Sequence, residues 1–91
     1  MSEAVAPPKL RLDKWLWHAR LFKTRGLAAQ MVERGKVRLN SRRVTKPAQA
    51  VRTGDVLTVT LPGGVRVLRV EALGERRGPA PEAQQLYEEI P

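Results

Sequence analysis

The stretch "KTRGLAAQMVERGKVRLN", residues 23–40, changes its hydrophobic period part-way, and that change decides the fold. Leu27, Ala28, Met31 and Val32 recur at helical spacing and make one apolar face. Thr24 stands where a helix needs an N-cap, its hydroxyl placed to accept an orphan backbone N–H. Gly35 stands at the C′ position, where a left-handed backbone ends a helix without steric cost. After Gly35 the period is two: Val37 and Leu39 point one way, and Lys36, Arg38 and Asn40 the other. A helix therefore runs almost directly into a strand. The same stretch sets five cations against one carboxylate, Glu33, and its apolar order leaves those cations facing something other than the core.

Upstream, "LRLDKWLWHARLF" (10–22) is also helical, with Leu12, Trp15, Leu16, Ala19 and Phe22 in one stripe. Arg11, Lys14 and His18 share one flank, and Asp13 and Arg20 lie on the other. The link to the second helix is only about two residues, so the pair forms a tight αα unit. Trp17 and Leu21 project opposite the stripe, so either they stack on a ligand or a later segment covers them. The tail offers such a segment, since Leu86, Tyr87 and Ile90 fit one side of a short helix over 82–90 folded back across the first.

Downstream, Asn40-Ser41 is a turn and "RRV" the returning strand. Pro47 makes 45–50 irregular. Gly54-Asp55 turns into a strand at 56–61, and "PGG" at 62–64 turns into another, "VRVLRVEAL", whose alternation slips between Val67 and Leu68. The slip predicts a bulge or a strand buried on both faces. "GERRGPAP" is a loop, and Pro81 opens a short terminal helix. The order α-α-β-β-β-β-α is an α+β fold: a two-helix unit on a small, mainly antiparallel sheet, with a short C-terminal helix.

Ninety-one residues suit one domain. Residues 9–46 hold 12 Lys/Arg against 2 Asp/Glu, whereas residues 47–91 hold 5 against 6, so the net charge of +8 is concentrated in the first half. Solubility does not require that asymmetry; a polyanionic partner does. There is no cysteine, which excludes disulfides and thiolate metal sites and fits a reducing compartment. Apolar runs fall far short of a bilayer span, and "MSEAVAPPK" lacks the basic and apolar regions of a signal peptide. A cytoplasmic protein with no membrane contact is expected, with residues 1–8 a disordered tail.

Catalysis has little to build on. One histidine and few acids, most of them in the second half, do not supply a nucleophile–base pair or a metal cluster, and Gly63-Gly64 is a hairpin turn, not a phosphate loop. No enzyme and no cofactor are expected. Nucleic-acid binding has positive support: "KTRG" opens the second helix, whose N-terminal dipole favours an anion, with Lys23 and Arg25 beside it. Lys36 and Arg38 on the strand, and Arg42 and Arg43 across its turn, extend the cationic surface.

These residues reach a known family. "RLDKWLW…ARLFKTRGLAAQMVERGKVRLNSRRVTKPAQAVRTGDVLTV" resembles the RNA-binding domain named after the fourth protein of the small ribosomal subunit, the S-four domain, over about residues 10–61. The resemblance implies that both helices and the adjoining strand form the RNA face. Carried over by position, that face is Arg11, Lys14, Arg20, Lys23, Thr24, Arg25, Lys36, Arg38, Asn40 and Arg42, to which the residue pattern adds Arg43. Ser41 departs from the family, where glycine is common. The implied division is a tail (1–8), the RNA-binding domain (9–61), and an extra strand with a helical tail (62–91).

The "RLDKWLW" start and the "GERRGPAPEAQQLYEE" segment are similar to the small ribosome-associated heat-shock proteins of bacteria. That resemblance implies binding to ribosomal RNA on free large subunits carrying a stalled nascent chain on transfer RNA; a monomer is expected. The residues alone leave two alternatives open. One is a DNA-binding regulator built on the αα unit, and the other an adaptor acting through its acidic end, "EAQQLYEEI".

Overall fold

The first helix is shorter than its periodicity predicts, because its ends are fixed by partners outside it. In a computed structural model that describes residues 7–91, Leu10–Arg11 form a short strand, β1, before α1 begins at Leu12. No side chain caps α1; the Leu12 and Asp13 N–H groups donate to the carbonyls of Gln49 and Pro47 (2.8 and 3.1 Å). The irregular 45–50 segment thus satisfies orphan donors of a helix end. Its last residues form β4 (Ala50–Val51), antiparallel to β1.

α1 (Leu12–His18) ends in a Schellman turn with Arg20, at φ 61, in the position glycine usually holds. The Leu21 N–H reaches back to the Leu16 carbonyl at 3.1 Å. Leu21 therefore lies beyond the helix and packs on the core's edge, so it forms no pair with Trp17 on a far helical face. α2 (Arg25–Glu33) begins at Thr24, whose Oγ1 accepts from the Leu27 N–H (3.0 Å), and ends at Gly35 (φ 74), with the Lys36 N–H donating to the Met31 carbonyl.

The sheet follows: β2 (Val37–Leu39), β3 (Arg42–Val44), β5 (Val56–Leu61), β6 (Gly64–Val70) and β7 (Tyr87–Ile90), in spatial order β3-β2-β5-β6-β7, with every pairing antiparallel. Both long helices lie on one face, where Leu12, Trp15, Leu16, Ala28 and Val32 meet Val37, Leu57, Val59 and Val70. The β5–β6 register runs unbroken from Val56↔Arg69 to Leu61↔Gly64, so there is no bulge at Val67-Leu68. The slip has another cause. Leu68 and Val70 face the helices, while Val65 and Val67 occupy the opposite face, where Val65 is 62% exposed.

The tail also differs from the reading as one terminal helix. Helix α3 spans only Ala80–Ala83, a 3₁₀ turn takes Gln84–Leu86, and Tyr87–Ile90 leave as β7. Free edge donors and acceptors on β6 outweigh continuing a helix too short to persist alone. Leu86 enters the core, whereas Trp17 is half-buried, with the Arg77 guanidinium 5.8 Å from its ring centroid. Glu88 and Glu89 pair with Arg69 and Arg66 across β6–β7, not with cations of α1, and Arg66 holds the Glu89 carboxyl below its usual range. The segment after residue 61 thus completes the same sheet and core. Of the expected 1–8 tail, residues 1–6 lie outside the described residues.

The β2–β3 hairpin turns on Asn40 (φ 50) and Ser41 (φ 71), the left-handed pair of a type I′ turn. Serine is strained there and glycine is not, so Ser41→Gly is expected to stabilise the domain by about 0.5–1 kcal/mol, read as a small rise in melting temperature.

Candidate nucleic-acid interface

The close approach of α1, α2 and the 45–50 segment gathers cations from distant parts of the chain. A shallow pocket of about 350 Å³ is lined by Lys9, Leu10, Arg11, Lys14, Arg25, Ala48 and Ala50. Arg11 comes from β1, Lys14 from the first turn of α1 and Arg25 from the start of α2. Beneath them lies Asp13, which is 3% exposed. Arg11 donates to both of its carboxylate oxygens from Nε and Nη2, each at 3.1 Å, and Arg25 Nε stands 3.6 Å from Oδ2. The arginine side chains remain 51% and 42% exposed over that buried anion. Gln49, next to Ala48 and Ala50, lines a second hollow together with Arg42, Leu39 and Asn40. Arg42 lies on the helix-facing side of the sheet, opposite Leu39 across β2–β3.

Other expected contacts lie elsewhere. Strand alternation puts Arg38 and Arg43, paired across β2–β3, on the sheet face turned away from the helices. Arg43 folds back against Gly35, where a Cβ would clash with its guanidinium. That places a cation at the negative end of α2. Lys36 is exposed just before β2, and Lys23 is exposed beside an apolar groove lined by Leu21, Phe22, Leu27 and Met31. Arg20 donates from Nε to the Gly78 carbonyl at 2.6 Å and so ties α1 to the C-terminal loop. Asn40 uses its side-chain amide within the fold, donating to Asp55 (3.0 Å) and accepting from the Val56 N–H (2.9 Å). Thr24 is the α2 cap, which leaves its hydroxyl proton available.

His18 is not on an exposed flank: it is 1% exposed, with Nδ1 3.2 Å from the Leu73 carbonyl. The loop after β6 covers it, and sequence spacing on α1 carries no signal of that. Lys9 and Asp13 were not among the expected site residues. Lys9 precedes the helical pattern, and the pairing of Asp13 with Arg11 and Arg25 follows from Arg11 lying in β1 and Arg25 arriving from α2, which the α1 stripe does not show.

The architecture and this cation cluster meet a known description: the family model of the S4 domain matches residues 10–57, more than half the chain. The chain belongs to the S4 domain family. Among curated relatives, Heat shock protein 15 of Escherichia coli is 48% identical over 81 residues, covering 89% of this chain and 60% of that protein. The RQC P-site tRNA stabilizing factor of Listeria monocytogenes is 33% identical over 79 residues, covering 86% of this chain and 83% of that one. The S4 chain also superposes on the trimeric structure of Vibrio cholerae Heat Shock Protein 15 with a TM-score of 0.86 and 46% identity, covering 91% and 83% of the two chains. That relative's trimeric state stands against the monomer expected from sequence. The S4 chain spans 60–66% of the length of the Heat shock protein 15 relatives from E. coli and Aeromonas salmonicida. No helix among its described residues is long and apolar enough to cross a membrane.

Proposed function

We propose that this S4 protein binds structured ribosomal RNA without catalysing a reaction, and that it acts in the cytoplasm on large ribosomal subunits stalled with a nascent chain on transfer RNA. The observation that carries the RNA reading is the convergence of Lys9, Arg11, Lys14 and Arg25 at one shallow surface made by two helices and a loop. Such a surface suits phosphates held at fixed spacing by folded RNA, where shape rather than base sequence selects the site. The ribosomal part is supported by the likeness to Heat shock protein 15 and to a factor named for stabilising P-site tRNA. Arg11, Lys14, Lys23, Thr24, Arg25 and Arg42 form the helix-side contact set. Lys36, Arg38 and Arg43 are a second set, and Arg20 and Asn40 support the fold that presents both.

Sedimentation of the tagged protein through a lysate gradient tests this reading. It is expected to travel with free large subunits; remaining at the top of the gradient at low salt sinks the proposal. Competition between duplex DNA and refolded ribosomal RNA at one salt concentration separates it from a DNA-binding regulator. Partner capture that survives nuclease treatment would instead favour an adaptor acting through the acidic end.

Arg25→Ala is expected to weaken RNA binding several-fold and to reduce the slope of log K against log salt by about 1, as loss of one phosphate contact requires. Its side chain is 42% exposed, so the melting temperature should move by no more than a few degrees. A melted domain with unchanged affinity per folded molecule would contradict that placement.

A further inference from the structure

Asp13 is the one carboxylate buried among the described residues, and it lies beneath two arginines of the cationic pocket rather than among core side chains alone. Burying a carboxylate is costly unless it is paired. Here it is paired twice. Arg11 meets it with Nε and Nη2, and Arg25 approaches with Nε alone. The remaining guanidinium nitrogens have no hydrogen-bond partner among the described residues, and both side chains stay about half exposed. A negative charge beneath a phosphate-binding surface opposes binding by simple electrostatics. It helps only if holding the arginines still matters more than the charge it subtracts.

We infer that Asp13 is a positioning residue, which fixes Arg11 and Arg25 in one arrangement before RNA arrives and so favours phosphates at the fixed spacing of folded RNA over those of a flexible strand. The inference rests on the RNA-binding reading above. Long arginine side chains lose rotamer freedom when they bind, and a partner that orders them beforehand lowers that cost. A flexible polyanion adapts to any arrangement of cations and gains little from the order.

The two accounts predict opposite signs. Asp13→Asn removes a negative charge, so attraction alone makes every RNA bind more tightly. Positioning makes refolded large-subunit ribosomal RNA bind about tenfold more weakly, while poly(U) binds as before or more tightly. Fluorescence anisotropy at one salt concentration reads both, with melting curves fixing the folded fraction. In an Arg11→Ala/Arg25→Ala background, Asp13→Asn should weaken binding no further. Equal or tighter binding of folded RNA by Asp13→Asn overturns the inference, as does equal loss on both RNAs. If Asp13→Asn does not fold, Arg11→Lys and Arg25→Lys serve, because they keep the charge and lose the fork. They should lose affinity for the folded RNA and not for poly(U), and unchanged binding of both overturns the inference. Where wild type shows no salt-dependent RNA binding, or Arg25→Ala has no effect, the underlying reading fails and takes the inference with it.

Discussion

Trp15→Ala is expected to lower the melting temperature by at least about 15 °C, the largest loss of stability from any single truncation considered. Trp15 is fully buried and belongs to the central cluster with Leu12, Leu16 and Val70. Removing a buried aromatic ring costs about 3–5 kcal/mol through lost transfer energy and the cavity left behind. A second term adds to it. The indole N–H donates to the Ala72 carbonyl at 2.9 Å, just beyond the end of β6. Truncation leaves that carbonyl without its partner, a further penalty of roughly 1–3 kcal/mol if water does not replace the donor. The ring also meets Tyr87 of β7 edge-on, with centroids 6.5 Å apart, so one side chain links α1 to the last strand. For a domain of this size about 1 kcal/mol corresponds to 4–8 °C. Circular dichroism melts decide the matter, with Trp15→Phe as the partial case that keeps most of the volume and loses the hydrogen bond. A fall of only a few degrees for Trp15→Ala would mean that the α1–sheet core contributes little. Leu27→Ala, which the helical stripe alone would rank as severe, should cost less, because Leu27 is only half-buried beside the apolar groove.

What the sequence made legible was whatever depends on local period and turn chemistry. The α2 cap at Thr24, its stop at Gly35, the Asn40-Ser41 hairpin and the core stripe of α1 all rest on contacts within a few residues. What it hid was decided by partners far along the chain. The start of α1 is set by the Pro47 and Gln49 carbonyls, and the tail's switch to β7 by the free edge of β6. His18 is covered by the segment around Leu73, some 55 residues away. The cation surface shows the same division. Its existence could be read from charge asymmetry, but not its partition between two sides of a sheet. Alternation gives the side for Arg38 and Arg43 only once β2 is known to pack on the helices through Val37. The buried role of Asp13 depends on Arg11 leaving the helix as β1 and on Arg25 reaching it from α2, neither of which local period shows.

That partition gives the second large expected effect, the response of RNA binding to salt. Each phosphate neutralised by a cation releases counterions, and log K falls by about 0.7–0.9 per contact for each unit of log salt. The helix side presents Lys9, Arg11, Lys14, Lys23, Arg25 and Arg42. If these six alone engage, the slope should be roughly −4 to −5, so that raising salt from about 50 to 200 mM weakens binding by several hundred-fold to about a thousandfold. Adding Lys36, Arg38 and Arg43 brings the contacts to nine, and the slope to about −6 to −8. The structure favours the smaller value: Arg38 and Arg43 lie on the far face of the sheet, and Arg43 already rests against the end of α2. A rigid RNA helix docked over α1 and α2 cannot also reach that face, whereas RNA that wraps the edge strand β3 can. Equilibrium binding over a salt series separates the cases, and Arg38→Ala checks the assignment by leaving the slope unchanged in the first case and lowering it by about 1 in the second. A slope near zero would remove phosphate contact as the basis of binding altogether, because neutralising a phosphate necessarily releases counterions.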